Sequence, residues 1–435
     1  MHEPRVAVIA VKESLRNTSG SVYAGWLTVM ASIIGLALGP STLLVFCFGT
    51  FVTPLSHAFG WSVASISVGA TILTIMSTVT SVLQGQLVDR FGGRRLALIS
   101  IPAMSLGVAA LSLLPASLAM FYAACVIIPL AAVGTWPISY LQITASWFKQ
   151  RLGLAMGLAN TGIGIGAACL PPLATYLISH AGWRSTYAWL GAGAFVLTWP
   201  VAIRFLRENR RAQVSAGEKG YRPERRELSR TAFLPACRTR AFGLLLLAFL
   251  LLGPASATAI VHQSRVLLDL GMSAARVGWV QGLMGGALII GRLATGWLLD
   301  RVSPSVVMTA CCLAASAAFA LLALGAPYGT AYASAVVIGF VVGAEFDVLS
   351  VVVARYFGTA AFGTIYGTIF AAFQVSSAVS MTLVGMARVH SGSYAPALWV
   401  VTATTMACAL CFVMLHHARF PSAEVQRGQT KAAIQ

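Results

Sequence analysis

Two hexapeptides, Gly85-Gln-Leu-Val-Asp89-Arg90 and Gly296-Trp-Leu-Leu-Asp300-Arg301, each stand where a long apolar run gives way to charge. Their aspartates are 300 − 89 = 211 positions apart, about half of a 435-residue chain. A second landmark keeps the same offset: Gly60-Trp61-Ser62 and Gly271-Met272-Ser273 each open the apolar run that leads into the hexapeptide. One half-molecule is therefore written twice in the same direction, and any fold for this chain must carry that internal repeat.

The medium of the fold follows from composition. Hydrophobic residues make up 58% and charged residues 9%, too few charges to cover a soluble surface, where about a quarter is usual. Apolar runs long enough to cross a bilayer, ~20 residues each, recur near 26–48, 63–88, 95–115, 117–142, 152–178, 185–206, 241–263, 274–299, 305–325, 328–354, 361–387 and 394–416. They are continuously apolar rather than alternating, which indicates helices and not barrel strands. The expected fold is all-α and integral to the membrane, about twelve spans in two pseudo-symmetric six-helix bundles. The expected organisation is a polar segment 1–22, a bundle 23–206, a basic linker 207–240, a second bundle 241–418 and a tail 419–435.

Lys and Arg set the expected orientation. Segment 207–240 holds ten of them against four Glu. Others sit at Arg5, Lys12 and Arg16, at Arg90, Arg94 and Arg95, at Lys149 and Arg151, at Arg301 and Arg355, and at Arg419, Arg427 and Lys431. The intervening loops carry only Arg184, Arg265, Arg276 and Arg388. Both termini and the linker are expected on the cytoplasmic side of a plasma membrane. The net charge of +17 is then explained by loops facing anionic lipid, and no nucleic-acid partner is expected. The N-terminus lacks a secretory cleavage pattern, so the first span is expected to act as the insertion signal. The eight cysteines show no metal-ligand spacing and no GxxxxGK[ST] phosphate loop occurs. Neither a metal, nor another cofactor, nor ATP hydrolysis is expected.

The first hexapeptide continues as Asp89-Arg90-Phe-Gly92-Gly93-Arg94-Arg95 between spans two and three. This resembles the signature loop of the major facilitator superfamily, which keeps a weaker copy after span eight, where Asp300 and Arg301 stand. The resemblance implies a transporter of that fold, in which this cluster latches the two halves together. Gly85 and Gly296 would allow close helix approach, and Gly92 belongs to the same latch motif. Asp89 at a helix end can accept hydrogen bonds from arginines and from a neighbouring helix N-terminus.

A narrower resemblance precedes span five. Trp147-Phe148-Lys-Gln-Arg151, followed by Ala155-Met-Gly157-Leu-Ala159-Asn160-Thr-Gly162, is similar to the pattern of monocarboxylate carriers and the related oxalate/formate exchangers. Arg355-Tyr356-Phe357-Gly358 and Phe362-Gly363 echo it in the second half.

The chain has twelve acidic residues, of which only Glu345 and Asp347 lie within a span, the tenth. The only basic residue deep in a span is Arg292, in the eighth. An ionisable group in the membrane is costly enough that function is the default expectation. Arg292 lies eight residues from Asp300, and Asp347 eight from Arg355, so both sit about 12 Å from their span ends. Residues i and i+2 face different ways on a helix, so one of the two acids is expected to face the pathway.

Arg292 followed by Gly296 resembles the arginine that holds the substrate carboxylate in those carriers, and a guanidinium fork suits that ligand. The chain departs from them at Leu288, where the animal carriers have an aspartate, in an uncharged first span, and at Gln374, where the oxalate exchanger offers a cation nearby. One fixed positive charge favours a single carboxylate. Gln281, on the Arg292 stripe, Gln374 in span eleven, and Tyr140 and Trp136 in span four are further candidates to line the path. His262, near the outer end of span seven, is a candidate for proton-linked gating. The expected function is secondary transport of a small monocarboxylate-like anion with a proton, carried on Glu345 or Asp347, by a monomer. A proton-coupled drug or amphiphile exporter of the same fold is the alternative, with a non-transporting scaffold behind it.

Overall fold

A computed structural model describes residues 23–148, 150–209, 233–325 and 328–417. The expected leading segment 1–22, the tail 419–435 and most of the linker lie outside the described residues. The helices are α1 (Tyr23–Phe46), α2 (Phe48–Phe59), α3 (Val63–Phe91), α4 (Gly93–Leu113), α5 (Leu118–Ala131), α6 (Pro137–Trp147), α7 (Leu152–Phe205), α8 (Arg240–Asp269), α9 (Ala274–Leu299), α10 (Pro304–Ala323), α11 (Tyr328–Phe357), α12 (Phe362–Ser391) and α13 (Ala395–His417). No strand occurs among the described residues.

Ten of these stretches are long and apolar enough to cross a membrane. One, α7, is two passes joined where Gly182 takes φ 79°, outside the helical region. Another pass is broken: α5 stops after Pro129, and Pro137 starts α6, as expected of a residue with no N–H to give. Twelve passes result, so the described chain starts and ends at the same end of the bundle, the end where Arg90, Arg94, Arg151, Arg301 and Arg355 stand.

The repeat is visible in the elements. α3 and α9 begin 274 − 63 = 211 residues apart, and α4 and α10 begin 304 − 93 = 211 apart. Ser62 caps α3 by accepting the Ser65 N–H, and Ser273 holds the equivalent extended position before α9. The first helix of each half also carries a π-helical turn beside a proline, Ser41–Phe46 after Pro40 and Thr258–His262 after Pro254. A helix that loses a backbone donor must rearrange its hydrogen bonds locally.

Large apolar side chains such as Ile99, Leu106, Leu113 and Trp279 are more than 70% exposed on the bundle surface. Water would penalise that surface by about 25 cal/mol per Å², whereas lipid does not. Inside, small residues replace large ones where helices cross. A Cβ on Gly162 would lie 2.2 Å from the Ile33 carbonyl, and one on Gly166 2.2 Å from that of Ala37, so α7 and α1 meet backbone to backbone.

Candidate functional site

The two halves touch along two seams, α3 against α12 and α7 against α9. Each seam begins at the basic end with an aspartate from one half on a helix N-terminus of the other. Asp89, at the end of α3, accepts the Gly363 N–H (2.9 Å), the Thr364 N–H (2.8 Å) and the Thr364 hydroxyl (2.7 Å) at the start of α12. It also accepts from Gln142 Nε2 at 2.9 Å. Asp300, at the end of α9, accepts the Gly153 and Leu154 N–H groups at the start of α7 (2.8 and 3.0 Å). Arg355 Nη2 lies 3.2 Å from the same carboxylate. The first N–H groups of a helix have no partner within it and carry its positive dipole end, so a carboxylate is their natural acceptor.

Glycines make the approach possible. A Cβ on Gly85 would fall 2.2 Å from the Gly363 carbonyl, and one on Gly153 2.4 Å from that of Gly296. The arginines of the repeated motif do other work. Arg94 donates to the Ile203 carbonyl (3.0 Å) and its N–H to Glu208 (3.2 Å). Arg90 lies over the Phe91 ring and Arg301 over that of Trp297, at 4.8 and 3.7 Å. Gly92 takes φ 88° at the join of α3 and α4.

The buried charges sit at the far end of the α7–α9 seam. Arg292 is 6% exposed, Glu345 1% and Asp347 0%. Among the described residues Arg292 forms no ion pair. Its Nη1 donates to the Asn160 backbone carbonyl over 3.3 Å, and its Nε has no partner. The two acids face different neighbours, because two residues turn a helix by more than half a circle. Asp347 Oδ1 accepts the Asn160 amide at 2.6 Å, across the seam, while its Oδ2 has no partner. Glu345 turns back into its own half, accepting the Ser256 hydroxyl of α8.

Asn160 therefore meets both charges, and sequence reasoning quoted it only as part of a motif. A single amide in an apolar span is the signal that could have raised it, since a polar group there needs a partner. Gln142, Thr364 and Ser256 were also missed, as short polar residues are common in such helices. The hydrogen bonds do not bring Gln281, Gln374 or Tyr140 to the charges. Gln281 donates to Ser264 (2.6 Å) within its own half. Gln374 donates to Ser77 (3.0 Å), higher on the α3–α12 seam. Tyr140 is fully buried against Gly35 of α1, its hydroxyl without a partner. Trp136 is buried with its Nε1 unpaired. His262 bonds the Met381 carbonyl within the second half. Among the described residues no cluster of His, Cys, Asp or Glu could hold a metal.

Two repeated bundles that seal at one end and converge on buried charges in the middle form the architecture of a secondary membrane transporter, not of an enzyme. The chain belongs to the Major Facilitator Superfamily, whose model matches residues 34–381 and 245–434. Within it the chain resembles the monocarboxylate branch: it is 27% identical to monocarboxylate transporter 13 of Bos taurus over 407 residues, 90% of this chain and 89% of that protein. It is 25% identical over 267 residues to the uncharacterised MFS-type transporter YcxA of Bacillus subtilis, covering 60% of this chain and 62% of YcxA. The match thus spans about three fifths of YcxA. Among solved structures, FucP in the outward conformation superposes with a TM-score of 0.67 at 13% identity, over 89% of this chain and 98% of that one. That likeness shows the fold.

Proposed function

We propose that the protein carries a small monocarboxylate together with a proton across the plasma membrane by alternating access, with Arg292 as the anion's ligand. The observation that carries this reading is a buried guanidinium with no ion pair and an unpartnered Nε. A cation in that setting is costly until an anion meets it, and its planar fork fits a carboxylate through two parallel hydrogen bonds.

Charge counting supports the proton. The cluster holds one cation and two carboxylates, so an entering anion would make three negative groups against one positive. A proton on Glu345 or Asp347 returns the cluster to two negative groups against one positive, its state before the anion entered. The basic end is read as cytoplasmic on the asymmetry of Lys and Arg, and the sealed conformation then faces outward. Relatives named as monocarboxylate transporters agree with the substrate class. Arg292 speaks against the amphiphile exporter, whose cationic cargo it would repel.

The test is uptake of pyruvate, lactate and benzoate into proteoliposomes with an imposed proton gradient. Arg292→Lys keeps the charge and loses the fork, so uptake falls at least tenfold while the protein still purifies as a single species. Arg292→Gln combined with Asp347→Asn costs less stability in detergent than the two single changes summed. Undiminished uptake by Arg292→Gln ends the carboxylate reading.

A further inference from the structure

We propose that Asn160 is the residue through which occupancy of the Arg292–Asp347 cluster opens the sealed end, an assignment that rests on the carboxylate reading above. Along α7 the contacts with α9 fall at Gly153, Gly157 and Asn160, a single stripe of the helix. Gly153 meets Asp300 and the Gly296 carbonyl. A Cβ on Gly157 would lie 2.9 Å from the Arg292 carbonyl and 3.6 Å from Asp347 Oδ2. Asn160 takes the Arg292 guanidinium on its backbone carbonyl and gives its amide to Asp347. One turn further, a Cβ on Gly164 would only touch Ile289 at 4.0 Å, so the backbones no longer meet closely there. Of these three contacts Asn160 is the one that bonds the buried Arg292 and Asp347.

Both bonds depend on the state of the cluster. An anion seated in the guanidinium fork competes with the long 3.3 Å bond to the Asn160 carbonyl. A proton on Asp347 weakens its acceptance of the Asn160 amide, since hydrogen bonds to a charged group are the stronger kind. The ionisable groups within electrostatic reach of Asp347 are Arg292 on α9 and, through a shared neighbourhood, Glu345 on α11 and the Tyr366 hydroxyl on α12. Anion and proton together loosen both of the Asn160 ties to the second half, which neither does alone. The seam below keeps its Asp300 bonds and its glycine contacts.

The experiment reads the seam directly. Leu299 is fully buried, its Cβ 2.8 Å from where a Gly153 side chain would begin. Leu299→Cys, in a full-length background lacking the eight native cysteines, reports opening as its alkylation rate by N-ethylmaleimide. Asn160→Ala raises that rate about tenfold, the worth of one charge-assisted hydrogen bond. Pyruvate at acidic pH raises the rate when Asn160 is present and adds nothing in Asn160→Ala. Should Asn160→Ala fold poorly, Asp347→Asn weakens the same bond from the other side and gives the same increase. An unchanged rate in the folded variants overturns the assignment. If the variants open the seam while pyruvate acts in neither background, Asn160 keeps its role and the carboxylate reading fails.

Discussion

Asp89→Asn tests the latch at the point where its geometry is most complete. Three of the four hydrogen bonds described at Asp89 cross to the other half, all of them to the first turn of α12. Asparagine is nearly the same size, so packing is kept, but it brings one acceptor oxygen and an NH2 group that confronts a backbone donor. Losing one bond to a charged group costs about 1.5–3 kcal/mol, and losing the charge at a helix N-terminus about 0.3–1 kcal/mol. The Gln142 amide stays in its own half and can turn to the new carbonyl. A net loss of about 2 kcal/mol moves the sealed–open equilibrium roughly thirtyfold. Ser81 is buried under Gly367 on the same seam, so alkylation of Ser81→Cys in a cysteine-free background measures the shift. Carboxylate affinity at the unsealed state stays within a factor of about 3, because the charges at Arg292 are untouched. An alkylation rate changed less than threefold, with affinity lost instead, would refute the latch.

The glycine contacts predict a graded series. Gly85→Ala (2.2 Å from the Gly363 carbonyl) unseals the protein more than Gly296→Ala (2.8 Å from that of Gly153), and Gly286→Ala, with nothing within 4 Å, changes nothing; equal effects at the three sites would refute close packing as the cause. Arg151 is the one non-glycine residue at positive φ, 60°, among the described residues, so Arg151→Gly raises the free energy of unfolding by about 1 kcal/mol, read as chemical denaturation in detergent; a loss of stability would show that the Arg151 side chain outweighs its backbone strain. Orientation is checked with single cysteines at Ser215 and Thr430, which react only with reagents that reach the cytoplasm. Labelling of either in intact cells by an impermeant maleimide would invert the topology.

The membrane class, the twelve passes and the doubled half were legible in the sequence because each rests on a local quantity. Hydropathy is summed along a run, and the repeat is a spacing between like residues. Depth was legible for the same reason: Arg292 and Asp347 each lie eight residues from a charged span end, and a helix converts count into distance at 1.5 Å per residue. Rotation about the helix and choice of neighbour are not local. That Asp89 and Asp300 each cap a helix of the opposite half was decided by which helices the bundles bring together. So was the parting of the two acids of α11, Asp347 toward Asn160 across the seam and Glu345 toward Ser256 within its own half. Asn160 became a site residue only there, because hydropathy averages a single amide away, and it is the packing of α7 on α9 and α11 that sets its backbone carbonyl against Arg292 and its amide against Asp347.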